Sequence, residues 1–276
     1  MLDLHVDQNA NIEYFKWDLP DPDIVFLLIH GMGAHSERWA FFANYFQSKN
    51  IASYSLELKG FGQTTTYKGH IDSLSLYYKE IAALIDIIQK EHPNKKIVIV
   101  GESMGGLIAF EYFASYGINL EALICFSPAF GNKMKLNLFS ILFSLLYNPK
   151  KQFVMPFTSA MCTRDQEYQK IMDSDIREHR FATSNLLLQL LFAQIRSLFF
   201  TKRINKPVLF LLAEEKNDLL VNTRSAKKVF NNIKSSRKKL IEYPSMLHAL
   251  SIDLGKEKVF EDIYFWLKEI NLLKNE

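Results

Sequence analysis

The hydrophobic pattern of the chain switches repeatedly between two periods. Ile24–Ile29, Ile51–Leu58, Ile97–Val100, Ala122–Phe126 and Val208–Leu212 are short runs of mostly β-branched and aliphatic residues. Such runs read as strands, Ile24–Ile29 as a buried one and Ile97–Val100 as buried on both faces. Lys239–Tyr243 reads as one further strand. Between the runs the spacing becomes helical. Ser36–Ser48 places Trp39, Phe42, Ala43 and Phe46 on one face, and residues 74–91 do the same with Leu74, Tyr77, Ile81, Leu84, Ile85 and Ile88. Leu107–Phe113 starts another helix that Gly117 ends, and residues 257–270 form a closing one. Leu2–Asp7 and Ile12–Trp17 alternate weakly and read as an edge hairpin, with Pro20 and Pro22 marking the turn after it. Strands alternating with helices predict an α/β fold, a mostly parallel central sheet with helices on both faces.

The alternation stops at Ser127–Gly131. From there to about Arg203 no strand is expected. Helical stretches take over at Leu136–Tyr147, in a charged piece at Arg164–Arg180, and at Asn185–Phe200. Residues 131–203 are therefore expected to form a helical cap inserted into a core made of residues 1–130 and 204–276. The cap would lie over the carboxyl ends of the strands, where ligands bind in open α/β sheets.

Composition narrows the picture. With 48% hydrophobic and 23% charged residues among 276, the chain can bury a sizeable core and is not disordered. The net charge of +3 is dispersed, so no basic stripe suggests nucleic acid. Cys125 and Cys162 lack disulfide or metal-site spacing, and Cys125 reads as a small buried hydrophobe. No signal peptide is visible, and no apolar run approaches the ~18 residues of a membrane span. The expectation is a cytoplasmic protein, with peripheral membrane contact as an option.

The candidate chemistry lies at Gly101-Glu102-Ser103-Met104-Gly105. A β-branched strand before this string and an apolar helix after it are the context of a nucleophile elbow, with Ser103 at the apex. The glycines two before and two after the serine are needed where strand and helix backbones nearly touch. A serine hydroxyl needs a base, and the base needs an orienting acid. Downstream of Ser103 only His179 and His248 are available. His179 lies in a charged stretch and reads as a solvated surface residue, whereas His248 follows the last strand and is the expected base. Glu214, Glu215 and Asp218 compete for the acid. Asp218 is favoured because Leu219-Leu220-Val221 can re-enter the core and fix its loop, which leaves both glutamates as solvated charges. The oxyanion hole needs two backbone amides. Met104 and Met32, the latter in His30-Gly31-Met32-Gly33, are the candidates, with His30 as a structural anchor.

These pieces resemble the α/β-hydrolase superfamily and, within it, the monoacylglycerol lipase and lysophospholipase branch. The resemblance is carried by His30-Gly31-Met32-Gly33-Ala34-His35-Ser36-Glu37-Arg38-Trp39, by Gly60-Phe61-Gly62-Gln63-Thr64, and by Gly101–Gly106. Asp218-Leu219-Leu220-Val221 and Met246-Leu247-His248 fall where the acid and histidine of that branch fall. Glu57 and Phe61 depart from its usual Asp and His. The resemblance implies the α/β-hydrolase fold and a serine hydrolase that cleaves esters of single-chain lipids through an acyl-enzyme, without metal or organic cofactor. Leu138, Leu142, Leu187 and Leu191 of the cap are candidates to line an acyl slot, where each buried methylene gives about 0.8 kcal/mol. Lys133, Lys135, Lys150 and Lys151 bracket the first cap helix, which could rest on an anionic membrane; the plainer expectation is that this helix packs down on the core. Competing readings are a broad carboxylesterase or thioesterase, an aminopeptidase using Asp173, Asp175 or Glu178 for the substrate amine, and a catalytically silent binding protein.

Overall fold

The computed structural model describes residues 4–135 and 137–274, with Leu138 described in its backbone alone. The chain starts with the hairpin β1 (His5–Asp7) and β2 (Ile12–Trp17); Leu2, where the first strand was expected to begin, lies outside the described residues. β3 (Ile24–Ile29), α1 (Ala40–Gln47), β4 (Ile51–Glu57), α2 (Leu74–Glu91), β5 (Lys96–Glu102), α3 (Met104–Tyr116) and β6 (Ala122–Phe126) then alternate. A second set of elements follows before the sheet resumes. It comprises α4 (Leu138–Tyr147), β7 (Gln152–Val154), α5 (Ser159–Cys162), α6 (Gln166–Ser174), β8 (Phe181–Thr183) and α7 (Ser184–Phe200). The chain closes with β9 (Val208–Ala213), α8 (Thr223–Asn232), β10 (Lys238–Tyr243) and α9 (Lys256–Glu269).

Eight strands form one sheet in the order β1-β2-β4-β3-β5-β6-β9-β10. All neighbours from β4 to β10 run parallel, and the hairpin adds antiparallel at the edge. Strand side chains alternate between two cores. Val25, Leu27 and Ile29 of β3 face the core closed by α2, α3 and α8, while Ile24, Phe26 and Leu28 face the one closed by α1 and α9. This double burial explains why β3, β6 and β9 show no polar alternation. β5 lies between β3 and β6, so the expected elbow emerges from the middle of the sheet.

Two expectations need correction. The segment between β6 and β9 does contain strands: β7 and β8 pair antiparallel, Phe153 opposite Ala182. Three-residue strands are too short to set a period, so the sequence gives no sign of them. The charged piece at 164–180 is helical only over Gln166–Ser174. Leu136, expected to open the first helix of this segment, lies outside the described residues. Among the described residues no helix is long and apolar enough to cross a membrane.

At the end of β5 the two backbones come into near contact. A Cβ on Gly101 would stand 2.3 Å from the carbonyl oxygen of Gly105, and one on Gly105 would stand 2.2 Å from that of Ile29 and 2.5 Å from that of His30. Neither neighbour is a side chain that can turn away. Gly105→Ala is expected to cost more than about 3 kcal/mol in urea denaturation. Gly255→Ala, whose only burden is a φ of 94° with no atom within 4 Å, is expected to cost about 1–2 kcal/mol. Equal costs for the two would contradict the packing described.

Candidate active site

Ser103 sits at φ 57° and ψ −118°, a conformation that costs a residue bearing a Cβ. It is pinned on both sides. Its N–H donates to the Phe126 carbonyl at 2.9 Å, and its own carbonyl accepts from Ala129 N–H at 2.9 Å and Leu107 N–H at 3.2 Å. Met104 is the first residue of α3, so its amide is one of those that a helix start leaves without an intrahelical partner.

The loop after β9 presents Asp218, fully buried. Asp218 Oδ1 accepts from the amides of Leu220 and Val221, both at 3.0 Å, and Oδ2 meets His248 Nδ1 at 2.9 Å. Leu220 and Val221 do return to a small core with Cys162, Met172, Ala249 and Ile252, while Leu219 stays exposed. Glu214 and Glu215 are half-buried and pair with Lys216 and Arg224 at the surface. Burial pushes the Asp218 carboxyl up, but the imidazole beside it and its hydrogen bonds carry it net below the usual carboxylate value. Burial disfavours a charged His248, yet Asp218 and then Glu102 outweigh it and raise the imidazole above its ordinary 6.5.

Two acids that sequence reading did not single out hold the histidine loop. Glu102 accepts from Ser251 N–H at 3.1 Å and Ser251 Oγ at 2.9 Å. Asp253, fully buried, accepts from Leu247 N–H at 2.8 Å and from the Arg164 amide at 2.7 Å and guanidinium at 2.9 Å. An acid in a loop reads from sequence as solvated, so only Glu102, adjacent to Ser103, carried a signal.

The loop after β3 approaches Ser103 closely, since a Cβ on Gly31 would lie 3.2 Å from the serine Cβ. His30 is the anchor expected. Leu58 N–H donates to its Nε2 at 3.1 Å, which leaves Nδ1 as the donor to Gly31 O at 2.8 Å, and burial lowers its pKa to about 3. Glu57 accepts from Ser36 Oγ at 2.5 Å beneath the same loop, and burial pushes its carboxyl up to about 7. The segment after α6 lies along residues 33–38. His179 N–H donates to Gly33 O at 3.2 Å, Arg177 pairs with Glu37 at 2.5 Å, and Arg38 Nε donates to Glu178 at 3.0 Å. His179 is therefore not the solvated residue expected. It sits outside any helix, half-buried, and its ring stacks on Phe61 at 5.3 Å and 2° between planes.

Ser103, His248, Met32 and Met104 line one cavity. Leu142, Leu187 and Leu191 line it too, with Met134, Ile141, Leu188 and Leu190. The side chain of Leu138 lies outside the described residues. The polar part of the wall is small: Arg38, Glu102, Asn132 and Gln194 accompany Ser103 and His248. Cys125 is buried in β6, where burial pushes its thiol well up. Among the described residues the one cluster with metal-like geometry, Asp18, Glu91 and His92, lies outside this cavity and has Lys16 2.7 Å from Glu91.

Residues 20–255 match the family described as serine aminopeptidase, S33. The chain is similar to the phospholipase YtpA of Bacillus subtilis, at 26% identity over 251 residues, covering 90% of this chain and 96% of that one. It is also similar to the Homo sapiens monoglyceride lipase, at 24% identity over 255 residues, 90% of this chain and 83% of that one. Among solved structures, the Paleococcus ferrophilus monoacylglycerol lipase matches with a TM-score of 0.84 at 20% identity, over 94% of this chain and 99% of that one. The fold is that of the α/β-hydrolases.

The carboxylate beside His248 can be tested without substrate. In the intact protein the His248 ring protons are expected to titrate above 6.5. In Asp218→Asn burial acts without that carboxylate, and the titration is expected to fall below 6.5. An unshifted NMR titration curve in Asp218→Asn would contradict the pairing.

Proposed function

The chain belongs to this serine aminopeptidase S33 family and is a carboxylic ester hydrolase, and we propose that it cleaves esters of single-chain lipids, monoacylglycerol or lysophospholipid, through an acyl-enzyme. In this reading residues 1–130 and 204–276 carry the machinery and residues 131–203 form the cap that selects the substrate. Ser103 Oγ attacks the ester carbonyl while His248 takes its proton, and the amides of Met32 and Met104 receive the oxyanion. Collapse expels the alcohol, protonated by His248. Water, deprotonated by the same imidazole, then releases the fatty acid and restores Ser103. Asp218 holds the imidazole and stabilises its charged form.

The observation that carries the lipid reading is the cavity wall. Ser103 and His248 share it with aliphatic side chains from α4 and α7 and few polar groups, which suits an acyl chain better than a polar acyl group. The acids that an aminopeptidase would turn towards a substrate amine are already engaged. Asp173 pairs with Arg180 at 2.5 Å, Asp175 with Arg177 at 2.6 Å, and Glu178 accepts from Arg38 at 3.0 Å. A broad carboxylesterase or thioesterase would use the same machinery, so substrate preference decides between them.

The cap also favours transient contact with an anionic membrane surface. On α4, Phe139, Phe143, Leu146 and Tyr147 are exposed instead of packing down on the core, and Lys150 and Lys151 follow exposed. An apolar face next to cations suits an anionic interface. Lys133 does not take part, because its ammonium is held by backbone carbonyls.

Two measurements test these readings. In a panel of p-nitrophenyl esters, monoacylglycerol and lysophosphatidylcholine, kcat/KM is expected to rise with acyl length and to fall by at least about 10⁴-fold in Ser103→Ala. A rate that survives Ser103→Ala refutes the acyl-enzyme, and a preference for acetyl or aminoacyl substrates refutes the lipid. Co-sedimentation with phosphatidylglycerol vesicles is expected to drop several-fold when Lys150 and Lys151 become Glu; an unchanged pellet removes the membrane contact.

A further inference from the structure

The segment that leads from β6 into α4 runs beside the loop that carries Asp218. Lys133 N–H donates to the Leu220 carbonyl at 2.9 Å, and Asn222 N–H donates to the Gly131 carbonyl at 2.9 Å. Asn132 and Val221 form an antiparallel bridge between them. Residues 131–133 and 220–222 thus make a short ladder. From it the Lys133 side chain reaches back under the acid loop. Its ammonium donates to the backbone carbonyl of Asp218 at 2.8 Å and to that of Glu215. Among the described residues it has no carboxylate within ion-pair distance.

A lysine that bonds only backbone carbonyls organises a chain turn and does not balance a charge. The turn it organises carries the acid. The amides of Asn217 and Asp218 both donate to the Glu214 carbonyl, at 2.9 and 3.0 Å, which leaves the carbonyls of 215 and 218 converging with no local donor to separate them. The Lys133 ammonium fills that gap. Asp218 is then fixed at three points: its carbonyl by Lys133, its Oδ1 by the amides of Leu220 and Val221, and its Oδ2 by His248.

We propose that Lys133 is a positioning residue for ester hydrolysis, fixing the Asp218 peptide and through it the carboxylate that orients His248. The proposal rests on the reading of Ser103, His248 and Asp218 as the reacting set. The ladder is also part of the cavity wall, with Asn132 on one side of it, followed by Met134, and Leu220 and Val221 on the other. An acyl chain lying against both strands braces them from inside. Loss of Lys133 therefore weighs more on short esters than on long ones.

The sign of the pH response separates positioning from simple charge. The charged groups facing His248 are Asp218, Glu102 and Arg38. Removing a nearby cation and nothing else would raise the imidazole pKa. Loosening Asp218 lowers it, because burial then acts with less compensation.

The test compares Lys133→Met and Lys133→Arg with the unmodified protein, using p-nitrophenyl butyrate and p-nitrophenyl palmitate. A second readout is the low-field NMR resonance of the His248 Nδ1 proton, assigned by its loss in Asp218→Asn. For Lys133→Met, kcat on the butyrate is expected to fall about tenfold with KM within about twofold, and the loss on the palmitate to be smaller. The acid limb of kcat/KM is expected to move to lower pH and the low-field resonance to broaden. Lys133→Arg, which keeps a donor pair for both carbonyls, is expected to restore rate and resonance. Unchanged kcat and resonance in Lys133→Met, an acid limb that moves to higher pH, or no rescue by Arg each overturn the proposal. Should Lys133→Met not fold, Lys133→Gln, which keeps one amide donor, takes its place in the same comparison. Full activity in Asp218→Asn or Ser103→Ala would refute the reacting set itself, a result distinct from any involving Lys133.

Discussion

A serine backbone bent to a φ of 57° is unstable on its own, and here the sheet compels it. β5 is hydrogen-bonded to β3 on one side and β6 on the other, so its last residues cannot drift. α3 must start at once to cover the same core, and the path from strand to helix is closed to anything larger than glycine at 101 and 105. The strain is of order 1–3 kcal/mol and is held by a core that no local motion relieves. Ser127 turns with a φ of 37° at the end of β6, where its N–H donates to the Leu211 carbonyl at 2.8 Å. The loops after β3, β5, β9 and β10 all leave the same edge, which is why residues about 30, 103, 218 and 248 meet although they are remote in sequence.

Around this edge the buried charges are arranged by loop. Asp218 engages His248, Glu102 the segment just after it, and Asp253 the residue just before it together with Arg164. Each carboxylate is satisfied by amides, hydroxyls or a guanidinium, which offsets the cost of burying it. Asp218 lies below the usual carboxylate value while His248 is raised above its ordinary one, each shifted by the other's charge and by their hydrogen bond.

Much of this was legible in the sequence wherever burial imposed a period. The spacing predicts a helix over 74–91 and α2 spans Leu74–Glu91, because an amphipathic stripe ending at Pro93 leaves little choice. The central strands stood out because both their faces are covered. The elbow was legible because its glycines answer a steric demand at fixed offsets. What escaped lies where contacts are non-local. The β7–β8 pair is too short to have a period. His179 looked solvated among charges, yet a ring of the core, Phe61, lies parallel to it. Lys133 reads from sequence as one of four lysines bracketing the first helix of the inserted segment, and nothing in the neighbouring residues says that carbonyls 82 and 85 positions away will claim its ammonium.

The two helices that line the cavity, α4 and α7, are fastened unequally. α7 buries Leu186, Leu190 and Ala193, and Arg196 grips the buried Glu111 of α3 with two bonds at 3.0 and 2.8 Å. Gln194 adds a bond to the Ala129 carbonyl. α4 turns most of its aromatic side chains outward and touches the rest mainly through α7. Displacing α7 would break the Arg196–Glu111 ion pair and leave a buried carboxylate without its cation. The cavity wall is thus held asymmetrically: α7 is tied to α3 and to the loop after β6 by side-chain bonds, whereas α4 leans on α7 and turns an apolar face outward.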